Sequence, residues 1–186
     1  MLAVTAAPGL LGVVAADLAG VAAILPDGSA AAVGGVVTFA LPAGLVEEPG
    51  WWRVASTAWQ TRMPPVWAAL SIGALWALWH LPLYCVDGSY QQGLGFGSVR
   101  LWLTNVVLVQ LSVLYVWLAD GTGGSIPIVV LAHAGFNTAG ELVPRSTTGD
   151  VVAFLAVTAA TLVVIVATRD RLCRRPRTSL VGDLVA

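Results

Sequence analysis

The chain alternates long apolar runs with short polar punctuation. Six runs approach the roughly 20 apolar residues that a membrane helix needs: 3–25, 29–47, 65–86, 98–119, 125–143 and 150–168. Pro26, Asp27 and Gly28 part the first two, and Pro64 and Pro65 open the third. Asp87, Gly88, Gly93 and Gly95 mark the next loop; Asp120 to Gly124 follow the fourth run, and Pro144 ends the fifth. Proline and glycine in these places are helix stops and starts. The pattern predicts an all-α, polytopic membrane bundle of about six transmembrane helices. It forms one domain over 1–168, followed by a basic tail at 169–186.

Composition supports a bilayer as the solvent. Of 186 residues, 58% are hydrophobic and only 10% charged, against about 25% charged in soluble domains. The net charge of −1 argues against nucleic acid as a partner and leaves the lipid bilayer. The N-terminus has no basic stretch before its first apolar run, so that run is expected to be a retained span. Cys85 and Cys173 are expected at opposite membrane faces, unable to pair.

All basic residues are arginine, and they are unevenly spread. Arg169, Arg171, Arg174, Arg175 and Arg177 lie after the sixth run, and Arg53 and Arg62 lie between the second and third. Arg100 and Arg145 fall at the other face. Positive loops stay inside, so both termini are expected in the cytoplasm of, most simply, a bacterial plasma membrane. Trp51, Trp52, Trp59 and Trp67 cluster near this cytoplasmic segment and read as interfacial anchors.

The polar residues within the spans carry the chemistry, because ionisable groups there are costly and usually functional. Both histidines of the chain are such residues: His80 in LWALWHLP and His133 in LAHAGFN. Asn137 follows His133 by four and shares its helix face. Glu141 continues that face near the helix end, and Asp17 is a lone acid in the first run. Glu47 and Glu48 open the segment EEPGWWR. Polar groups in hydrocarbon must meet one another or water, so a central polar cavity among spans two, three and five is expected.

A glutamate and a histidine there would deprotonate water, and a His/Asn pair would donate to an oxyanion. That set suffices for amide hydrolysis without a covalent intermediate. Glu47, His80 and His133 would also make three zinc ligands, but no HExxH spacing signals a metal, and no cofactor is expected. Depth needs attention. At 1.5 Å per residue, His80 lies roughly 20 Å and His133 roughly 10 Å from the cytoplasmic face. Convergence with the glutamates requires span two to run on past Glu47.

The residues resemble those of the CPBP intramembrane proteases: the type II CAAX prenyl endopeptidases and the bacterial Abi and bacteriocin-processing proteins. Their three motifs are EExxxR, FxxxH and HxxxN. Glu47 and Glu48 match the first, Trp76 to His80 stands for the second with tryptophan in the aromatic place, and His133 to Asn137 matches the third. The resemblance covers a motif core of about 40–143.

It implies an intramembrane endopeptidase acting on a membrane-bound peptide or protein. Glu47 would be the base, His80 would position water, and His133 and Asn137 would form the oxyanion hole. Glu48, paired with the motif arginine, and Trp76 would support them, without a metal. One position departs from the pattern: Trp52 stands where the motif has arginine, and Arg53 comes one place later. On a helix that is a turn of about 100°, unless Pro49 and Gly50 shift the backbone. This leaves as alternative a weak or inactive relative serving as a membrane scaffold or immunity-type binding protein.

Overall fold

The computed structural model describes residues 40–142 and 146–174. The first expected span, most of the second, Asp17 and the end of the tail lie outside the described residues. Within them the chain is helical with no strand. The helices are α1 (Leu41–Glu48), a π-helical continuation (Pro49–Ser56), α2 (Thr57–Gln60), α3 (Pro65–His80) extended by a 3-10 turn (Leu81–Cys85), α4 (Tyr90–Leu94), α5 (Val99–Gly121), α6 (Ile126–Leu142), α7 (Thr147–Ala167) and α8 (Arg169–Leu172).

Among the described residues, three segments are long and apolar enough to cross a membrane: Pro65–Cys85, Val99–Gly121 and Thr147–Ala167. They fall on the expected runs at 65–86, 98–119 and 150–168. The fifth run forms the shorter α6. Serine side chains cap three starts, with Ser89 accepting from the Gln92 amide, Ser98 from Leu101 and Ser146 from Gly149. Each satisfies one of the amides left open at a helix start.

α3 and α5 pack closest. A Cβ at Gly73 would stand 2.3 Å from Ser112 Oγ and 2.8 Å from Val109 Cα. The Ser112 hydroxyl lies 2.7 Å from the carbonyls of both Ala69 and Val109, bridging the two helices. α7 packs on α5 through a polar seam instead. Gln110 donates to Thr158 at 2.8 Å, and Arg100 pairs with Asp150. Thr161 is the one buried residue of α7.

The helix carrying the two glutamates does not stop at them. Pro49 has no amide proton to give Leu45, and the ladder widens into π geometry from Pro49 to Ser56, a usual answer to such a break. Gly44, Glu48, Trp52 and Ser56 are all buried. Four residues overshoot a full α-turn by about 40°, so a stripe of strict spacing four would wind around an α-helix. The wider π turns keep it on one face. Trp52, 3% exposed, is thus a core residue and not an interfacial anchor. Trp67 is exposed, and Trp51 and Trp59 are half-buried.

Candidate active site

Glu48 sits where α1 meets α6. A Cβ at Gly44 would meet the Val130 carbonyl at 3.1 Å, so the two backbones approach closely there. One turn further along each helix, Glu48 Oε1 faces His133 Nδ1 in a short contact. Glu48 is fully buried and His133 is 4% exposed. A carboxylate and an imidazole are tolerated at such depth because each satisfies the other.

Glu47, half-buried, accepts a 2.6 Å hydrogen bond from the Trp76 indole N–H. Trp76 lies on α3 and is 1% exposed. Its ring is edge-on to both histidines, with centroids 5.6 Å from His80 and 5.5 Å from His133. One indole therefore touches Glu47, His80 and His133, three elements of the expected site. The tryptophan standing in the aromatic place of the second motif is the hub of the cluster.

The hydrogen bonds fix which ring nitrogens are free. His80 Nδ1 lies 2.9 Å from the Trp76 carbonyl. A carbonyl only accepts, so Nδ1 carries the proton and neutral His80 presents the Nε2 lone pair. His133 Nδ1 is engaged by Glu48, which turns Nε2 away from the carboxylate. Nε2 is an N–H donor if His133 is an imidazolium, or if the shared proton sits on Glu48. Asn137, half-buried one turn after His133 on α6, makes no side-chain hydrogen bond among the described residues and keeps its amide group available.

Arg53 does not join this cluster. It is exposed, and its guanidinium lies over the α5–α6 turn, 3.4 Å from where a Cβ on Gly124 would stand. The π segment presents Trp52, not Arg53, on the face of Glu48, so Glu48 is paired with His133 and not with an arginine. Glu141 belongs to α6, but its side chain lies outside the described residues. Among the described residues, no three histidine, cysteine or acidic side chains gather as metal ligands. The Nδ1 atoms of both histidines are already engaged.

Two further residues contribute without having been expected at the site. Trp52 is edge-on to Trp76 at 6.3 Å and to Tyr115 of α5 at 5.7 Å. The Tyr115 ring stacks on His133 at 6.0 Å. Span four contains no motif, but Asn105, Leu108, Ser112, Tyr115 and Ala119, at steps of three and four, are all buried. Three polar-tipped residues on that stripe are the signal that would have found Tyr115.

The described residues thus form a helical membrane bundle in which a buried glutamate–histidine pair has a second glutamate and a second histidine beside it. The family model of the Rce1-like type II CAAX prenyl endopeptidases matches residues 29–139, and the chain belongs to that family. It is also 29% identical over 108 residues to a protein of Methanococcus maripaludis named CAAX prenyl protease 2. That match covers 58% of this chain and 40% of the relative, so the chain spans well under two thirds of that relative's length.

Proposed function

We propose that the chain is an intramembrane endopeptidase that hydrolyses a peptide bond in a membrane-associated peptide or protein. The observation that carries this reading is the gathering of Glu47, His80 and His133 around the Trp76 indole. Glu47, with one oxygen held by that indole, takes a proton from water. His80 orients the same water through Nε2. The hydroxide adds to the scissile carbonyl, and the oxyanion accepts hydrogen bonds from His133 Nε2–H and the Asn137 amide. Collapse breaks the C–N bond, and Glu47 returns its proton to the leaving amine. Glu48 holds His133 in the donating orientation. No metal enters this scheme.

The same reading extends to placement in the membrane. The chain is one domain over 1–168, with both termini on the cytoplasmic side. Arg53 lies beside the α5–α6 turn and Arg171 beside Gly121 at the end of α5. Arg53 and Arg171 thus lie at the same end of the bundle. Arg100 pairs at the other.

The test is cleavage, in liposomes, of a fluorescence-quenched peptide ending in a prenylated Cys-aliphatic-aliphatic-X sequence, the acceptor pattern in the family's name. Glu47→Ala is expected to abolish cleavage. Equal rates for both proteins would remove Glu47 from the chemistry. The second reading, a non-catalytic scaffold or immunity-type binding protein, draws on Trp52, which fills the motif arginine's place while Arg53 faces outward. It is favoured if neither the native chain nor Trp52→Arg cleaves membrane-bound peptides while loss of the protein still has a phenotype.

A further inference from the structure

We infer that Tyr115 is a positioning residue of this site: its ring fixes the orientation of His133, with Trp52 holding the tyrosine in place. The inference rests on the proposed active site, but the geometry behind it is independent of substrate.

A histidine ring has two near-equivalent orientations about its outer torsion, related by a half-turn. In one, Nδ1 faces Glu48 and Nε2 points away. In the other, carbon Cδ2 faces the carboxylate and the oxyanion donor is lost. Passing between them needs room on both faces of the imidazole. Tyr115 covers one at 6.0 Å with 30° between the planes, and the edge-on Trp76 ring, 5.5 Å from the imidazole and 6.0 Å from Tyr115, packs beside it. Trp52 is in turn edge-on to both of these rings. All three aromatic residues are 3% exposed or less, so each is enclosed by its neighbours.

The polar tips point to the same assignment. Tyr115 Oη, Trp52 Nε1 and Glu48 Oε2 are buried without a partner among the described residues. Buried polar atoms without a partner call for a reason, and these three belong to residues joined through Tyr115 to the Glu48–His133 pair. They mark a surround built for that pair. An arginine at position 52 would serve Glu48 by charge. Here the Trp52 indole packs on Tyr115, and the Tyr115 phenol packs on the histidine of the pair.

The experiment uses the fact that the chain has two histidines. The full chain, labelled with 15N in its imidazoles, is placed in nanodiscs, and each ring is assigned by substituting the other. In the native protein the His133 ring protons are expected upfield of those of a histidine without a stacked ring. Nδ1 and Nε2 should give one distinct, slowly exchanging pair of signals. Tyr115→Phe is expected to keep this pattern. Tyr115→Leu and Tyr115→Met are expected to average or reverse it, while the His80 signals stay in place and report an intact fold.

On the prenylated peptide, kcat of the Leu and Met variants should fall at least about tenfold with KM little changed, and Phe should rescue it. The inference is overturned if the native His133 protons lack the stacking shift, if Leu and Met leave the His133 pattern unchanged, or if Phe loses as much as Leu. Should the native chain cleave nothing, the protease reading fails on that substrate. The nitrogen signals still decide the role of Tyr115.

Discussion

Glu48 and His133 are 85 residues apart in sequence and form the most deeply buried acid–histidine contact among the described residues. The contact exists because Gly44 lets α1 approach Val130 of α6, one turn before both partners. Each group needs the other, since both are buried from solvent. Glu48→Ala leaves a buried imidazole nitrogen unpaired, and should cost about 3 kcal/mol or more. The thermal midpoint in detergent should fall accordingly. Glu48→Gln offers an amide oxygen in the same place and should cost less. It weakens the hold on Nε2–H, with kcat reduced about 10²-fold, the scale of losing one oxyanion donor. A Glu48→Ala protein as stable as the native one would show that the pair does not contribute to the fold.

Glu47 separates chemistry from stability more cleanly. It is half-buried, and its contact is the Trp76 indole at 2.6 Å. Glu47→Gln keeps an acceptor for that indole, so its melting curve should overlay the native one. It cannot take a proton from water, so kcat should drop by about 10²- to 10⁴-fold, the range assigned to a positioned base. Trp76→Phe tests the hub differently. It keeps a ring between the histidines and removes the N–H, and kcat should fall about tenfold. A full loss in Trp76→Phe without unfolding would assign the indole a larger role than holding one carboxylate oxygen.

The contact of α3 with α5 sets where Trp76 and His80 stand, because Gly73 lies one turn before Trp76. The added methyl of Gly73→Ala would press on Ser112 Oγ and on the Val109 backbone, which has no freedom to yield. The expected cost is about 1–3 kcal/mol, typical of overpacking, read as a lower thermal midpoint. Pairing Gly73→Ala with Ser112→Ala should recover part of it by removing the hydroxyl. Loss of the bridge to the Ala69 carbonyl will keep that recovery incomplete.

The spans and the polar cluster were legible in the sequence for different reasons. Long apolar runs bounded by proline and glycine have few ways to be satisfied in lipid, so Val99–Gly121 and Thr147–Ala167 fall where the pattern puts them. Two histidines among nearly featureless apolar residues stand out for the same reason. The partner of Glu48 was not legible. The resemblance pointed to an arginine, and the structure pairs Glu48 with His133. What decided it was the π segment after Pro49, whose effect on the face of the following residues depends on how the chain accommodates the missing amide. The burial of Trp52 follows from that same register. A tryptophan near expected charges reads as an interfacial anchor until the helix face is known. Tyr115 carried a spacing signal with Asn105 and Ser112, but no motif to draw attention to it.

Trp52→Arg puts the two readings of the site to a direct trial. Position 52 is one turn beyond Glu48 and on its buried face, so a guanidinium there has a candidate acceptor in Glu48 Oε2, which has no partner among the described residues. Against that stands the loss of two edge-on ring contacts, to Trp76 and Tyr115, together worth about 1–3 kcal/mol. A bidentate or charge-assisted bond to a carboxylate recovers part of this. The variant is therefore expected to fold with a modestly lower thermal midpoint. Trp52→Ala, with a cavity and no new partner, should lose about 3–5 kcal/mol. On the prenylated peptide, Trp52→Arg should keep measurable cleavage below the native kcat, because the new anchor on Glu48 only partly replaces the ring that holds Tyr115. An arginine variant as unstable as the alanine one would show that the guanidinium does not reach Glu48, and that this bundle is built around the indole.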